Sequence, residues 1–299
     1  MNGIITRNPH SGETLILRRI WKDVFGNTGT ESFFSHLFDS GNCILAEINN
    51  TPAAAGYLVP FGKIQYGSLN AETISCAMIY SVATLPEYRG LGLGTAVVNS
   101  LINHAYMNGY SAVVLCPQGD GLFEYYGSRT GLYDWFYINE LILNTTEAVS
   151  CHNLPAPVKI TANEYKKIRE QLLYDTIYIK HDPSILEYQN ELCTELGGGL
   201  FKIGDSCAVI ERQSDGIVWI KEFLSPDLKT CVYKLDEIVE KMISVISVLF
   251  PAREYLVRFP SYDKKGRRFG MIVFNDTLKN KLPSGYDFIS LPWYGMAFD

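Results

Sequence analysis

The sequence predicts a mixed α/β fold in which helices cover a sheet of mostly antiparallel strands. Three observations predict it. Amphipathic segments with apolar spacings of three and four alternate with short apolar runs of strand length. One strand-like run passes through a glycine-rich turn straight into a helix. The first half then closes in the order strand, helix, strand, helix, strand, which layers helices on a sheet rather than segregating them.

In the first half, Leu17, Ile20, Trp21, Val24 and Phe25 fall on one face and predict a helix over Glu13–Phe25. Thr30–Phe38, with Phe33, Phe34, Leu37 and Phe38 inward, predicts a second. Strands are expected at Cys43–Ile48, Ala53–Pro60 and Ser75–Ala83, the first two separated by the turn pair Asn49-Asn50. A helix over Thr95–Tyr106, a strand over Tyr110–Cys116, a helix over Leu122–Ser128 and a strand over Tyr133–Leu143 complete it. In the second half, helices are expected at Asn163–Leu173 and Leu235–Leu249. Strands are expected at Leu200–Ile203, Ser206–Arg212, Gly216–Phe223, Glu254–Phe259 and Gly270–Phe274. This order of helix, three strands, helix and strand echoes the first half. The prolines at 155 and 157, in a polar setting, disfavour helix and place a domain boundary near residue 150. Two domains are therefore expected, residues 1–150 and 151–299.

Composition limits the function classes. With 47% hydrophobic and 19% charged residues, the 299-residue chain is not a disordered polymer. A chain of this length buries about three quarters of its unfolded surface and needs no covalent or metal staple. The net charge of −6 argues against a nucleic-acid partner. The seven cysteines include no C-x-x-C pair, so no zinc ribbon or thioredoxin-type motif is present, and buried free thiols in a reducing compartment are expected. No apolar run reaches membrane-spanning length and none at the N-terminus resembles a signal peptide. The expected location is the cytoplasm, with no membrane partner. Oligomeric state is not readable.

The chemistry concentrates in Val82-Ala83-Thr84-Leu85-Pro86-Glu87-Tyr88-Arg89-Gly90-Leu91-Gly92-Leu93-Gly94-Thr95. A strand enters a turn with glycine at every second position and leaves it as a helix. Glycine permits positive φ and close approach of backbone to a ligand. The helix start presents unpaired N–H groups and a partial positive charge, so the segment suits a phosphate or pyrophosphate. Arg89 adds a charge-assisted donor at the rim. No lysine follows Gly94, which excludes a Walker A loop. The third glycine comes one residue too early for a dinucleotide fingerprint.

At these residues the chain resembles the GCN5-related N-acetyltransferase superfamily. Its pattern Arg/Gln-x-x-Gly-x-Gly/Ala, after a strand ending in Val-x-Thr/Pro, is matched by Arg89, Gly92 and Gly94 following Val82-Ala83-Thr84. The resemblance covers about Gly12 to Leu143. It implies the acyl-CoA N-acyltransferase fold and acetyl-CoA as co-substrate, with the pyrophosphate on the N–H groups of Leu91–Thr95 and with Gly90 and Leu93 part of the same cradle. It also implies that the pantetheine arm pairs with the strand at Val82 and Thr84, and that the Val82 N–H polarises the thioester carbonyl. A second segment, Gly121–Leu132, is similar to the superfamily's Phe-Tyr-x-x-x-Gly-Phe. Here four residues rather than three separate Tyr126 from Gly131, and Leu132 replaces the aromatic. By resemblance Tyr126 donates the proton to the departing thiolate, with Tyr125 next in line. No motif names the base; Glu72 is the candidate, with Glu47 and Glu124 behind it.

The second half looks like a degenerate domain of the same type, because Ser225–Thr230 carries no Arg-x-x-Gly-x-Gly after the strand Val218–Leu224. Two tandem domains with one coenzyme A site are expected, an arrangement similar to the enhanced-intracellular-survival type of acetyltransferase. The apolar C-terminal segment is expected to be a buried strand, with delivery of the Asp299 carboxylate as base the alternative. Lys264-Lys265-Gly266-Arg267-Arg268 reads as a solvated hairpin tip. Function is expected to be acetylation of an amine, small or on a peptide; the alternative is a catalytically silent coenzyme A-binding or interaction module.

Overall fold

The computed structural model describes residues 3–27, 29–66, 73–144, 155–261, 266–276 and 292–298. The chain divides into two compact units, each discontinuous in sequence. Unit 1 is Met1–Lys63, Ile74–Trp135 and Gly270–Gly285; unit 2 is Ile64–Thr73, Phe136–Phe269 and Tyr286–Asp299.

Unit 1 opens with strand β1 (Ile4–Arg7), helices α1 (Thr14–Phe25) and α2 (Thr30–His36), and strands β2 (Cys43–Ile48), β3 (Thr51–Tyr66) and β4 (Ile74–Thr84). Helix α3 (Leu93–Met107), strand β5 (Ala112–Leu115), helix α4 (Asp120–Thr130) and the start of strand β6 (Tyr133–Asn144) follow. The sheet runs β1-β2-β3-β4-β5 and then takes up a late strand, β13 (Arg267–Phe274), beside β5. β4 and β5 are parallel, which requires the α3 crossover between them. β13 pairs antiparallel with β5, Met271 opposite Leu115 and Phe274 opposite Ala112.

Both faces of this sheet are covered, so its central strands are apolar at nearly every position rather than alternating. On one face Val97, Val98, Leu101, Ile102 and Ala105 of α3 pack on Ile44, Ala46, Ala54, Leu58, Ala77, Ile79 and Val113. Small residues at 53–56 let the helix approach closely. A Cβ on Gly56 would lie 2.7 Å from Val97 Cγ1 and 3.0 Å from Leu101 Cδ1. On the other face the Trp21 ring stacks on Phe33 at 4.9 Å and meets Phe34, Tyr57 and Tyr80 edge-on or tilted. At the edge of the sheet Arg7 of β1 holds Glu13 at 2.8 Å and also pairs with Glu47 of β2. The Arg7 guanidinium lowers the Glu13 carboxyl to about 2.

Unit 2 contains β7 (Val158–Lys159), α5 (Ala162–Leu172), β8 (Ile177–His181), α6 (Pro183–Glu195), β9 (Gly199–Ile203), β10 (Ser206–Arg212) and β11 (Ile217–Leu224). Then come α7 (Pro226–Thr230), α8 (Leu235–Leu249) and β12 (Glu254–Pro260). Its sheet runs β7-β9-β10-β11-β12-β6. β9, β10 and β11 are antiparallel, β12 is parallel to β11, and β6 closes antiparallel to β12, with Tyr255 opposite Leu143. Val239, Met242, Ile243 and Ile246 of α8 pack on Phe201, Ala208, Ile220 and Val257. In each unit a helical crossover joins two parallel strands, α3 between β4 and β5 and α8 between β11 and β12.

The last described residues, 292–298, are buried in unit 2, and Trp293 bridges to Tyr178 of β8. Trp293 Nε1 and the Tyr165 hydroxyl each donate to the Glu222 carboxylate at 2.6 Å, and Arg169 donates through Nε at 2.9 and 3.1 Å. Burying Glu222 requires such partners. Asp299 lies outside the described residues, as do Lys264 and Lys265.

The expected helices and strands of the sequence reading recur with small shifts at their ends. Helices α6 and α7 and strands β1, β7 and β8 were not expected. α6 begins at Asp182-Pro183, a helix-start signal, and buries Ile185, Leu186, Gln189 and Cys193. β3 runs beyond Pro60 because that proline does not end the strand.

Two tests follow from this packing. Gly56→Val should overpack the α3 face and lower stability by about 1–3 kcal/mol, read as a lower urea midpoint. Glu13 has a folded pKa of about 2 against 4.5 unfolded, so its stabilisation is present above pH 4.5 and is lost as pH falls toward 2. Glu13→Gln should therefore be less stable than the native chain at pH 7, and the two should converge as the medium is acidified.

Candidate functional site

The site forms where β4 leaves β5. Their paired register runs from Cys76 opposite Ala112 to Ile79 opposite Leu115, after which β5 stops and β4 continues to Thr84. Ser81 sits at φ 49, a left-handed conformation rare for a non-glycine residue. That places backbone strain, about 1–3 kcal/mol, in the splayed segment.

A 3-10 turn over Pro86–Tyr88 follows, and the Arg89 Nε donates to the Thr84 carbonyl at 3.3 Å. Gly90 at φ 78 and Gly92 at φ 91 reverse the chain, so that Gly92 becomes the N-cap of α3. No side chain caps this helix among the described residues. The first N–H groups of α3 have no partner inside the helix and are available to an anion.

Helix α4 supplies the opposite wall. It ends at Gly131 in the left-handed conformation (φ 73), and it buries Phe123, Tyr126 and Thr130 at helical spacing. The adjacent Tyr125 points toward the α3 N-terminus: its hydroxyl lies 2.8 Å from Thr95 Oγ1 and 3.2 Å from where a Cβ on Gly94 would stand. The two tyrosine rings meet edge-on at 5.1 Å. Tyr126 is 7% exposed, and burial, reinforced by Tyr125, pushes its phenol up to about 12. It therefore stays protonated at neutral pH and can donate a proton.

These walls enclose a cavity of about 300 Å³. Of the residues singled out from sequence, Val82, Thr84, Arg89, Gly90, Gly92, Leu93, Gly94, Tyr125 and Tyr126 line it. Thr95 reaches it through the bond to Tyr125, and Leu91 is 52% exposed on the outside of the turn. Glu72 lies outside the described residues. Glu47 pairs with Arg7. Sequence reading missed Val24, Tyr88, Leu122 and Arg129, which also line the cavity. Arg129 stands one helical turn beyond Tyr125, and its guanidinium lies 4.9 Å from the centre of that ring.

Residues 6–131 match the family model described as an acetyltransferase (GNAT) domain. No curated protein matches the chain significantly in sequence. Among solved structures it is similar to a GCN5-related N-acetyltransferase from Anabaena variabilis, at 16% identity and TM-score 0.67, covering 93% of this chain and 74% of that one. It is likewise similar to a GCN5-related N-acetyltransferase from Kribbella flavida, at 13% identity and TM-score 0.65, covering 92% and 72%. Eis1 from Mycobacterium abscessus aligns at 9% identity and TM-score 0.61, covering 92% and 75%. The chain has the acyl-CoA N-acyltransferase fold, and residues 6–131 are similar to a GNAT acetyltransferase domain.

The glycine turn is directly testable. Inorganic pyrophosphate should raise the melting temperature of the native chain. It should leave that of Gly92→Asp unchanged, because an acidic side chain at the α3 N-terminus repels the anion and strains a left-handed position.

Proposed function

We propose that this chain is an N-acetyltransferase that moves an acetyl group from acetyl-CoA to an amine, on a small molecule or a peptide. The observation that carries this is the meeting, in one cavity, of an uncapped helix start, the free edge of a splayed strand and a buried protonated phenol. Coenzyme A offers a diphosphate, an amide-bearing arm and a thiol, and each has a counterpart there. The diphosphate fits the N–H groups from Leu91 to Thr95, beside Arg89. The pantetheine amides pair with the open edge of β4 at Val82 and Thr84, as an added strand would.

The neutral amine attacks the thioester carbonyl carbon. The Val82 N–H stabilises the developing oxyanion. As the new C–N bond forms, the C–S bond breaks, and the thiolate takes its proton from Tyr126, which regains one from solvent. The amine loses a proton to a base or a water chain. Glu72 is our candidate for that base. Tyr125 orders the cradle through Thr95 and is the second candidate for the acid.

We read the architecture as two tandem acetyltransferase-type domains, residues 1–150 and 151–299, each lending one closing strand to the other's sheet. A helical crossover between parallel strands in each half, β4-α3-β5 and β11-α8-β12, supports this. The second is degenerate: after β11 the Ser225 hydroxyl accepts from the Asp227 N–H, so that helix start caps itself and has no glycine cradle. The six free cysteines among the described residues fit a reducing compartment, and we place the protein in the cytoplasm. No helix among the described residues is long and apolar enough to cross a membrane.

Release of free coenzyme A in the presence of an amine panel tests the reading. Tyr126→Phe should lower kcat about 100-fold while leaving the Kd for acetyl-CoA nearly unchanged. Because the Tyr126 proton is held to about pH 12, its loss should not depress the rate below about pH 10. Tight acetyl-CoA binding with no turnover on any amine would instead identify a silent binding module.

A further inference from the structure

The cavity holds two guanidinium groups, and the mechanism above uses only one. Arg89 stands at the turn, beside the N–H groups that take the diphosphate. Arg129 stands on the facing wall, in the last turn of α4. It is solvent-exposed and forms no ion pair with a carboxylate among the described residues, in contrast to Arg7 and Arg18 of the same unit. Its guanidinium lies over the Tyr125 ring at 4.9 Å, and Tyr125 is itself fixed by Thr95 at the α3 N-terminus. Stacking on an aromatic face holds the planar group while leaving its N–H edge free to bind. The result is a preorganised cation one ring away from the diphosphate cradle.

Coenzyme A carries a third phosphate, a monoester on the ribose 3′ oxygen, with a charge near −2 at neutral pH. The amides of the turn are consumed by the diphosphate and cannot also neutralise that group. We propose that Arg129, braced on Tyr125, reads the 3′-phosphate, so that the chain selects coenzyme A over its 3′-dephosphorylated form. This rests on the acetyl-CoA reading and adds a specificity-determining residue to it. A guanidinium–phosphate contact is charge-assisted, and a single such contact corresponds to about a tenfold change in Kd at a partly exposed site.

Calorimetric titration of the full chain with coenzyme A and with dephospho-coenzyme A, at one fixed ionic strength, tests this. The native chain should bind coenzyme A about tenfold more tightly. Arg129→Gln should weaken coenzyme A to the level of the dephosphorylated ligand and leave the latter's Kd unchanged. Arg129→Lys should restore part of the difference. An equal loss for both ligands would assign Arg129 to the diphosphate and overturn the proposal, as would a native chain that does not distinguish them. No heat with either ligand would sink the acetyl-CoA reading itself, and this proposal with it. Arg129 is exposed, and unchanged melting curves for the variants would separate binding from folding.

Discussion

The candidate site depends on a few peptide N–H groups that have no partner inside their helix. At the end of β4 the chain must turn through Gly90 and Gly92, both with positive φ, before α3 can begin. That turn leaves the helix start uncapped and aimed into a cavity. An uncapped start is a cost in most helices, about 1 kcal/mol against a capped one. Here the burial of α3 against five strands offsets it, because Val97, Val98 and Leu101 are wholly buried. The core therefore holds these N–H groups in place.

The separation of β4 from β5 is the second half of the same device. A parallel pair that stayed in register to its ends would satisfy every edge group and leave no room. The left-handed Ser81 falls where the pairing has stopped, and β5 is short. Tyr126 then enters from α4 at the core side of the gap, and its burial keeps its proton in place. Strand edge, helix start and phenol come from three elements that a single hydrophobic cluster holds together.

Much of this was legible in the sequence, and for physical reasons. Cys43–Ile48 and Ser206–Arg212 form as read, because their apolar runs have turn residues on both sides, and Leu235–Leu249 does so because its apolar residues recur at helical spacing. The glycine turn was legible because positive φ and close backbone approach leave few residues to choose from. Three features were not. Strand β1 is held chiefly by pairing to β2 and by Arg7, and its four residues show no period of their own. Helix α6 mixes Tyr188, Gln189 and Asn190 into its buried side, which blurs the apolar stripe. Arg129 carries no motif; its place in the site is set by the α4 turn that brings it over Tyr125.

The late strand β13 has a consequence for biosynthesis. Its partner β5 leaves the ribosome some 150 residues earlier, so the sheet around the glycine turn keeps a raw edge through half of translation. Contacts so distant along the chain slow folding, and an exposed sheet edge invites pairing with other nascent chains. A chain arrested after its N-terminal half would thus possess the whole glycine turn yet lack the strand that pairs with β5, and that edge would stay open to other chains.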